Sequence, residues 1–133
     1  MSQENVEIIR RSYAEVKQLG IVGAIADLYD DDAVMYGLEG WPDGEGPWRG
    51  RRAILGQWRR IEEDFPEQES FLEEIMAHGD WVIARGVWRV RSRHGLATEF
   101  WASQAARVRN GKVVEVRYFA DHAAALKAAG LEE

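Results

Sequence analysis

Residues 107–121 read RVRNGKVVEVRYFAD, and the way this stretch folds back on itself decides the architecture. Asn110-Gly111 between runs of alternating apolar and charged residues signals a tight β-hairpin. Two registers compete. With a two-residue turn, Val108 faces Val113, and Glu115 and Arg117 fall on the face of Ala106 and Gln104. With a three-residue turn, Arg109-Asn110-Gly111, and Gly111 left-handed in a bulge, Val108 faces Lys112. Val114, Val116 and Tyr118 then join Ala106, Gln104 and Ala102. Only the second register gathers the apolar residues, leaving Trp101, Ser103, Arg107, Glu115, Arg117 and Phe119 opposite. A one-residue slip flips every side chain, so burial selects the second.

Period two extends upstream to Pro66 and gives four strands, at about 68–78, 80–92, 96–109 and 112–120. His78-Gly79-Asp80 marks another tight turn. In the second of these strands Val82, Ala84, Gly86, Trp88 and Val90 face inward. Ile83, Arg85, Val87, Arg89 and Arg91 face outward. The inner face is lined by small residues (Ala84, Gly86, Ala102, Ala106) with Trp88, Phe100 and Tyr118 among them. Small residues opposite helices mean close helix approach or a cavity, and the residues leave both open. The outer face mixes charge with Trp101, Phe119, Ile83 and Val87. A half-apolar outer face is expected to be covered by another chain, which makes a homodimer the expected assembly.

Before the strands the period is helical. Val6, Ile9, Tyr13 and Val16 form the stripe of an amphipathic helix that Gly20 ends. A short second helix carries Val22, Ile25, Leu28 and Tyr29 and closes at Asp30-Asp31-Asp32. Ala33 to Tyr36 reads as a strand start. Ile54, Trp58, Ile61 and Phe65 set a third helix over Arg51 to Phe65, stopped by Pro66. After the strands, Asp121 is an N-cap and Gly130 with Leu131 a C-terminal cap. The layout is α+β: three helices, an antiparallel meander and a short helix in one domain, residues 1–133. Between the first strand and the third helix lies EGWPDGEGPWRGRR, residues 39–52. It is a loop by its glycines and prolines, yet it holds Trp41 and Trp48.

Composition narrows the function. The chain has 133 residues, 46% hydrophobic and 30% charged, an ordinary balance for one globular domain. Asp and Glu outnumber Lys and Arg by 23 to 17, for a formal net charge of −6. Nucleic acid and anionic membranes need a basic footprint, so neither is an expected partner. The absence of cysteine excludes disulfides and thiolate chemistry. No apolar run reaches the roughly 20 residues of a membrane span. The N-terminus lacks the apolar core of a signal peptide, and the cytoplasm is the expected compartment. No histidine has a partner at metal-ligand spacing, so neither a metal nor a cofactor is expected.

The segments MSQENVEIIRRSY, LYDDDAV, PWRGRRAI, RVRNGKVVEVRYFAD and AALKAAGL, in this order and spacing, resemble the SnoaL-like and ketosteroid-isomerase-like branch of the NTF2-like superfamily. The resemblance covers nearly the whole chain. It implies a curved antiparallel sheet wrapped around the helices, a cone with an apolar pocket, and dimerisation through the outer sheet face. It also implies a choice of activities: steroid isomerisation, polyketide cyclisation, dehydration, epoxide hydrolysis or binding alone. The fold does not decide among them.

The candidate site follows residue by residue. Tyr13 and Tyr29 keep the sixteen-residue spacing of two isomerase tyrosines, the first of which donates to the substrate oxyanion. A phenol in an apolar pocket polarises a carbonyl; the alternative is a core aromatic with a satisfied hydroxyl. The resemblance puts Gly37 where the isomerases carry their aspartate base and Gln104 where they carry a protonated aspartic acid. Glycine moves no proton and glutamine only donates a hydrogen bond, so the isomerase route is not expected. Gln104 either orients a ligand carbonyl or satisfies Tyr13 or a water. Tyr13, Trp41, Trp88, Gln104 and Tyr118 are the expected ligand-binding residues, and Tyr13 is the one catalytic candidate. Trp48, at the entry to the third helix, reads as structural. His78 and His94 sit at turns, and His122 starts the last helix. Asp43 and Glu45 read as turn formers, and Glu99 falls outward. The expected ligand is small and mostly apolar, of polyketide, terpenoid or steroid-like shape. The alternative is a non-catalytic module that acts through dimerisation or partner binding.

Overall fold

The structure is a computed structural model that describes residues 2–38 and 44–130. Trp41 and Asp43 lie outside the described residues. The elements are α1 (Ser2–Ile25), β1 (Tyr29–Tyr36), β2 (Trp48–Arg49), α2 (Arg51–Asp64), β3 (Glu67–His78), β4 (Trp81–Arg91), β5 (Ala97–Arg109), β6 (Lys112–Phe119) and α3 (His122–Ala128). Six strands form one curved, unclosed sheet in the order β2-β1-β6-β5-β4-β3. The sheet is mixed, because β1 runs parallel to β6; the other neighbours are antiparallel. The expected antiparallel meander covers β3 to β6. The parallel pair arises because α2, β3, β4 and β5 intervene before the chain returns beside its first strand.

The stripe of Ile9 and Val16 on α1, the Ile54-Trp58 row on α2, and the inward residues of β4, β5 and β6 form one core. Gly20 breaks α1 with φ 74° and ψ 169°, values open to glycine but costly for other residues. The break frees the N–H groups of Ile21 and Val22. Both are taken by the Glu62 carboxylate of α2, which caps the second half of α1 from outside. That second half is the expected short helix, and it is shorter than its pattern suggested. It ends at Ile25, and Tyr29 opens β1 instead. Tyr29 is buried in this strand, so its apolar spacing belongs to the sheet. Asp31 and Asp32 are both exposed in β1, and Asp31 pairs with Arg51 at 2.9 Å. Trp48 sits in β2, packed against the core, in the structural role read from its sequence.

The β5–β6 hairpin takes neither register as drawn. The turn has two residues, Asn110 (φ 52°) and Gly111 (φ 77°), as a type I′ turn requires, and Val108 faces Val113. A bulge follows at Val114. Beyond it Ala106 faces Val116 and Gln104 faces Tyr118. Burial therefore chose the expected face, but the extra residue sits three positions beyond the turn. That placement also keeps Val108 and Val113 inside, at 2% and 1% exposure.

The outer face divides in two. Ala125 of α3 and Ala129 just beyond its end cover Ile83, with Trp81, Phe119 and Leu126 around them. The chain's own last helix thus covers part of the apolar surface assigned above to another chain. Phe71, Met76 and Trp101 stay exposed. Among the described residues no helix is long and apolar enough to cross a membrane.

Candidate functional site

Three elements aim phenols at one point between helices and sheet. Tyr13 comes from α1, Tyr29 from the start of β1, and Tyr118 from β6, directly across the ladder from Gln104 of β5. Gly86 on β4 makes the room. A Cβ there would lie 2.5 Å from the Phe71 carbonyl oxygen and 3.1 Å from Cε2 of Tyr13. The question left open by the small inner residues thus has two answers. Ala84 and Ala106 are fully buried in the packed core. Gly86 and Ala102 border a cavity.

The cavity measures about 70 Å³. Ile9, Val16, Ile21 and Ile25 form its helix wall, and Trp58 and Trp88 its aromatic wall. Trp58 stands edge-on to Trp88 at 5.4 Å and to Tyr118 at 5.9 Å. Trp88 also packs on Phe100 at 5.7 Å, and Phe100 is exposed. A row of four aromatics therefore runs from the surface to the phenols. Offset and edge-on rings of this kind gain energy beyond their buried area, which stiffens the wall.

The electrostatics are those of neutral donors. A side-chain hydrogen bond joins the phenols of Tyr29 and Tyr118. Burial pushes the Tyr13 phenol far above the usual phenol range, and nearby Tyr118 pushes it further. Burial also raises Tyr29, where the bond from Tyr118 partly offsets it. Tyr118 is raised by burial and then by Tyr29. Tyr13 and Tyr118 are half-buried as whole residues, but their hydroxyl ends lie in the interior. Gln104 is 8% exposed and borders the same space. Ser12 and Ser70 supply hydroxyls, the first donating to the Ile9 carbonyl at 2.7 Å. Among the described residues no carboxylate and no histidine lines this cavity. Gly37, which occupies the place of a base in the resemblance, uses its N–H to hold the Glu45 carbonyl at 2.9 Å.

Of the five expected ligand-binding residues, Tyr13, Trp88, Gln104 and Tyr118 come together around the cavity. His78 and His94 are exposed at turns, and Glu45 is exposed in its loop. Glu99 lies outward, paired with Arg89 at 2.7 Å. The sequence reading passed over Trp58, whose helical spacing marked it only as core. It also passed over a polar row on the opposite face of the sheet. His122 Nδ1 lies 2.8 Å from Ser103 Oγ, and its Nε2 3.1 Å from Glu74 Oε2. Ser103 is fully buried there, so the row fastens α3 to β3 and β5. Asp121 caps α3 by accepting from the Ala123 N–H at 3.0 Å.

Helices packed on a curved mixed sheet, with the first strand parallel to the last, define an NTF2-like α+β protein. Residues 9–116 match the SnoaL-like domain, and the chain belongs to that family. Solved structures agree in fold. A protein described as a SnoaL-like polyketide cyclase from Jannaschia Sp. CCS1 is 18% identical, with a TM-score of 0.74 over 89% of this chain and 85% of its own. An LEH-like epoxide hydrolase of M. tuberculosis is 19% identical, with a TM-score of 0.72 over 89% and 83%. IdmH of Streptomyces antibioticus, described as a polyketide cyclase, is 25% identical, with a TM-score of 0.70 over 96% and 99%. No curated protein matches the chain.

Proposed function

We propose that this chain binds a small, mostly apolar carbonyl compound in the cavity between α1, α2 and the sheet. The convergence of Tyr13, Tyr29, Tyr118 and Gln104 in an otherwise apolar space carries the reading. Neutral phenols donate to a carbonyl oxygen and stabilise negative charge that develops on it. They do not remove a proton at neutral pH, because burial holds them far above the usual range. Polarisation is therefore the chemistry these side chains supply, in binding or in an isomerisation or cyclisation that needs no strong base. The polyketide cyclases among the similar structures support a ligand of polyketide character. Replacement of Tyr13 by Phe tests the reading. The variant keeps the ring and loses the donor, so an aromatic ketone followed by tryptophan fluorescence should bind about tenfold more weakly. Unchanged affinity removes Tyr13 from the site.

The exposed part of the outer face favours a second reading alongside the first, that two copies pair there. Phe71 and Trp101 are 44% and 45% exposed. Arg89 and Arg85 lie over them at 5.0 and 5.1 Å. Both arginines are also held by carboxylates, Glu99 at 2.7 Å and Glu73 at 3.0 Å. A surface that carries both signs beside apolar rings can complement its own copy across a twofold axis.

A further inference from the structure

The cavity is too small for the ligand shape that the family resemblance suggests. About 70 Å³ is less than the roughly 150 Å³ of an apolar cavity that takes up benzene. The cavity therefore admits only the carbonyl end of a ligand, and an aromatic ring with whatever it carries must lie in the adjoining space. A groove of about 890 Å³ runs over the start of β3, the end of β4 and the start of β5. Val16 borders both spaces. On the inner face of the sheet the groove's Gln68–Val90 pair lies two residues along the ladder from the cavity's Ser70–Trp88 pair.

The groove's chemistry differs from the cavity's. Its three cations are all engaged with carboxylates: Lys17 with Glu69 at 3.4 Å, Arg89 with Glu99 at 2.7 Å, and Arg91 with Glu67 at 3.9 Å. Glu62, the fourth carboxylate, stands outside these pairs. Its oxygens accept the N–H groups of Ile21 and Val22, and Arg59 is the nearby cation. A carboxylate has about four acceptor positions, so two backbone donors do not saturate it. In the floor, Gln68 is 6% exposed and donates to the Phe65 carbonyl at 3.3 Å. Its buried Oε1 has no partner among the described residues. Among the described residues the groove carries four carboxylates against three cations, and the buried atom left without a partner in it is an acceptor.

We infer that the groove holds the second half of the ligand, a donor-bearing substituent on the carbonyl head, with an ammonium group bound best and a carboxylate worst. This rests on the cavity reading above and extends it. The test uses four ketones and calorimetry: acetophenone, and acetophenones carrying a butyl, an aminobutyl or a carboxybutyl chain opposite the carbonyl. The aminobutyl ketone should bind about tenfold tighter than the butyl one, and the carboxybutyl ketone more weakly than either. Glu62→Gln, which keeps an acceptor for the cap, should erase the ammonium preference and leave butyl affinity in place. If the butyl ketone binds and the two charged tails do not differ, the groove inference falls while the cavity reading stands. A preference for ammonium that survives Glu62→Gln overturns the role given to Glu62. If none of the four binds, the cavity reading fails and takes this inference with it.

Discussion

At Gly86 a methyl group would press on the Phe71 carbonyl and on the Tyr13 ring, so this one hydrogen side chain lets a phenol reach the sheet. Gly86→Ala should lower stability by about 1–3 kcal/mol, the usual range for overpacking, read as a shift of the denaturant midpoint. It should also displace Tyr13 and weaken ketone binding. Glu62 gives a pH-dependent prediction. Burial, the largest influence on it, raises its carboxyl above the usual range despite the backbone bonds and Arg59. A carboxyl raised in the folded state binds protons more readily there than in the unfolded chain. Its contribution is therefore favourable at low pH and is lost as pH rises through the folded value. Glu62→Gln has no such loss. The melting temperature of the variant relative to wild type should rise between about pH 4 and about pH 7. A constant difference across that range would contradict the burial argument. None of these contacts was legible in the sequence, because closeness between Gly20 and Glu62, or Gly86 and Tyr13, depends on tertiary approach and leaves no local pattern.

Among the elements, strands were the most legible, since period two with flanking glycines specifies them locally. The expected β3 and β5 differ from the observed ones by one residue at the N-terminal end. The β5–β6 register was legible in its outcome and not in its means. The face was set by burial, but nothing in Val113-Val114 says which spare residue the ladder will expel. The bulge makes a sharp prediction. Deleting Val114 removes the expelled residue, leaves Val116 and Tyr118 facing Ala106 and Gln104, and should give a folded protein with a cooperative melt. Deleting Val116 turns Arg117 inward over Ala106 and expels Tyr118, and should abolish cooperative unfolding. Equal behaviour of the two deletions would refute the register. The short second half of α1 was misjudged at its end because Leu28 and Tyr29 fit a helical stripe. A buried strand offers Tyr29 the same apolar surroundings, and periodicity does not separate the two over so few residues.

At the scale of the molecule, helix-on-sheet packing followed from the order of periodic segments, and inward parity picked out the cavity-lining strand residues Gly86, Trp88, Ala102, Gln104 and Tyr118. The groove did not, because it is formed where α1, α2 and three strand ends meet. The division of the outer face was also hidden, since the alanines of α3 read as good helix formers and gave no docking site. Pairing of two copies is tested by Trp101→Glu. A charge in place of the ring should convert a dimer to a monomer in light scattering at unchanged melting temperature measured well below the dissociation constant. If the wild-type chain is already monomeric at high concentration, the outer-face reading fails.

The parallel pair β1–β6 also has a meaning for synthesis. Met35 lies beside Val116, so β1 leaves the ribosome long before its partner exists. At about 5–20 residues per second, the wait is on the order of 4 to 16 seconds. Throughout that interval Ala33-Val34-Met35-Tyr36 is an open apolar edge of the kind that joins neighbouring nascent chains. Asp30, Asp31 and Asp32 stand immediately before it, where charge keeps such a segment apart from its copies. The acidic run thus stands where a charged flank is placed beside an apolar strand whose partner has yet to be translated.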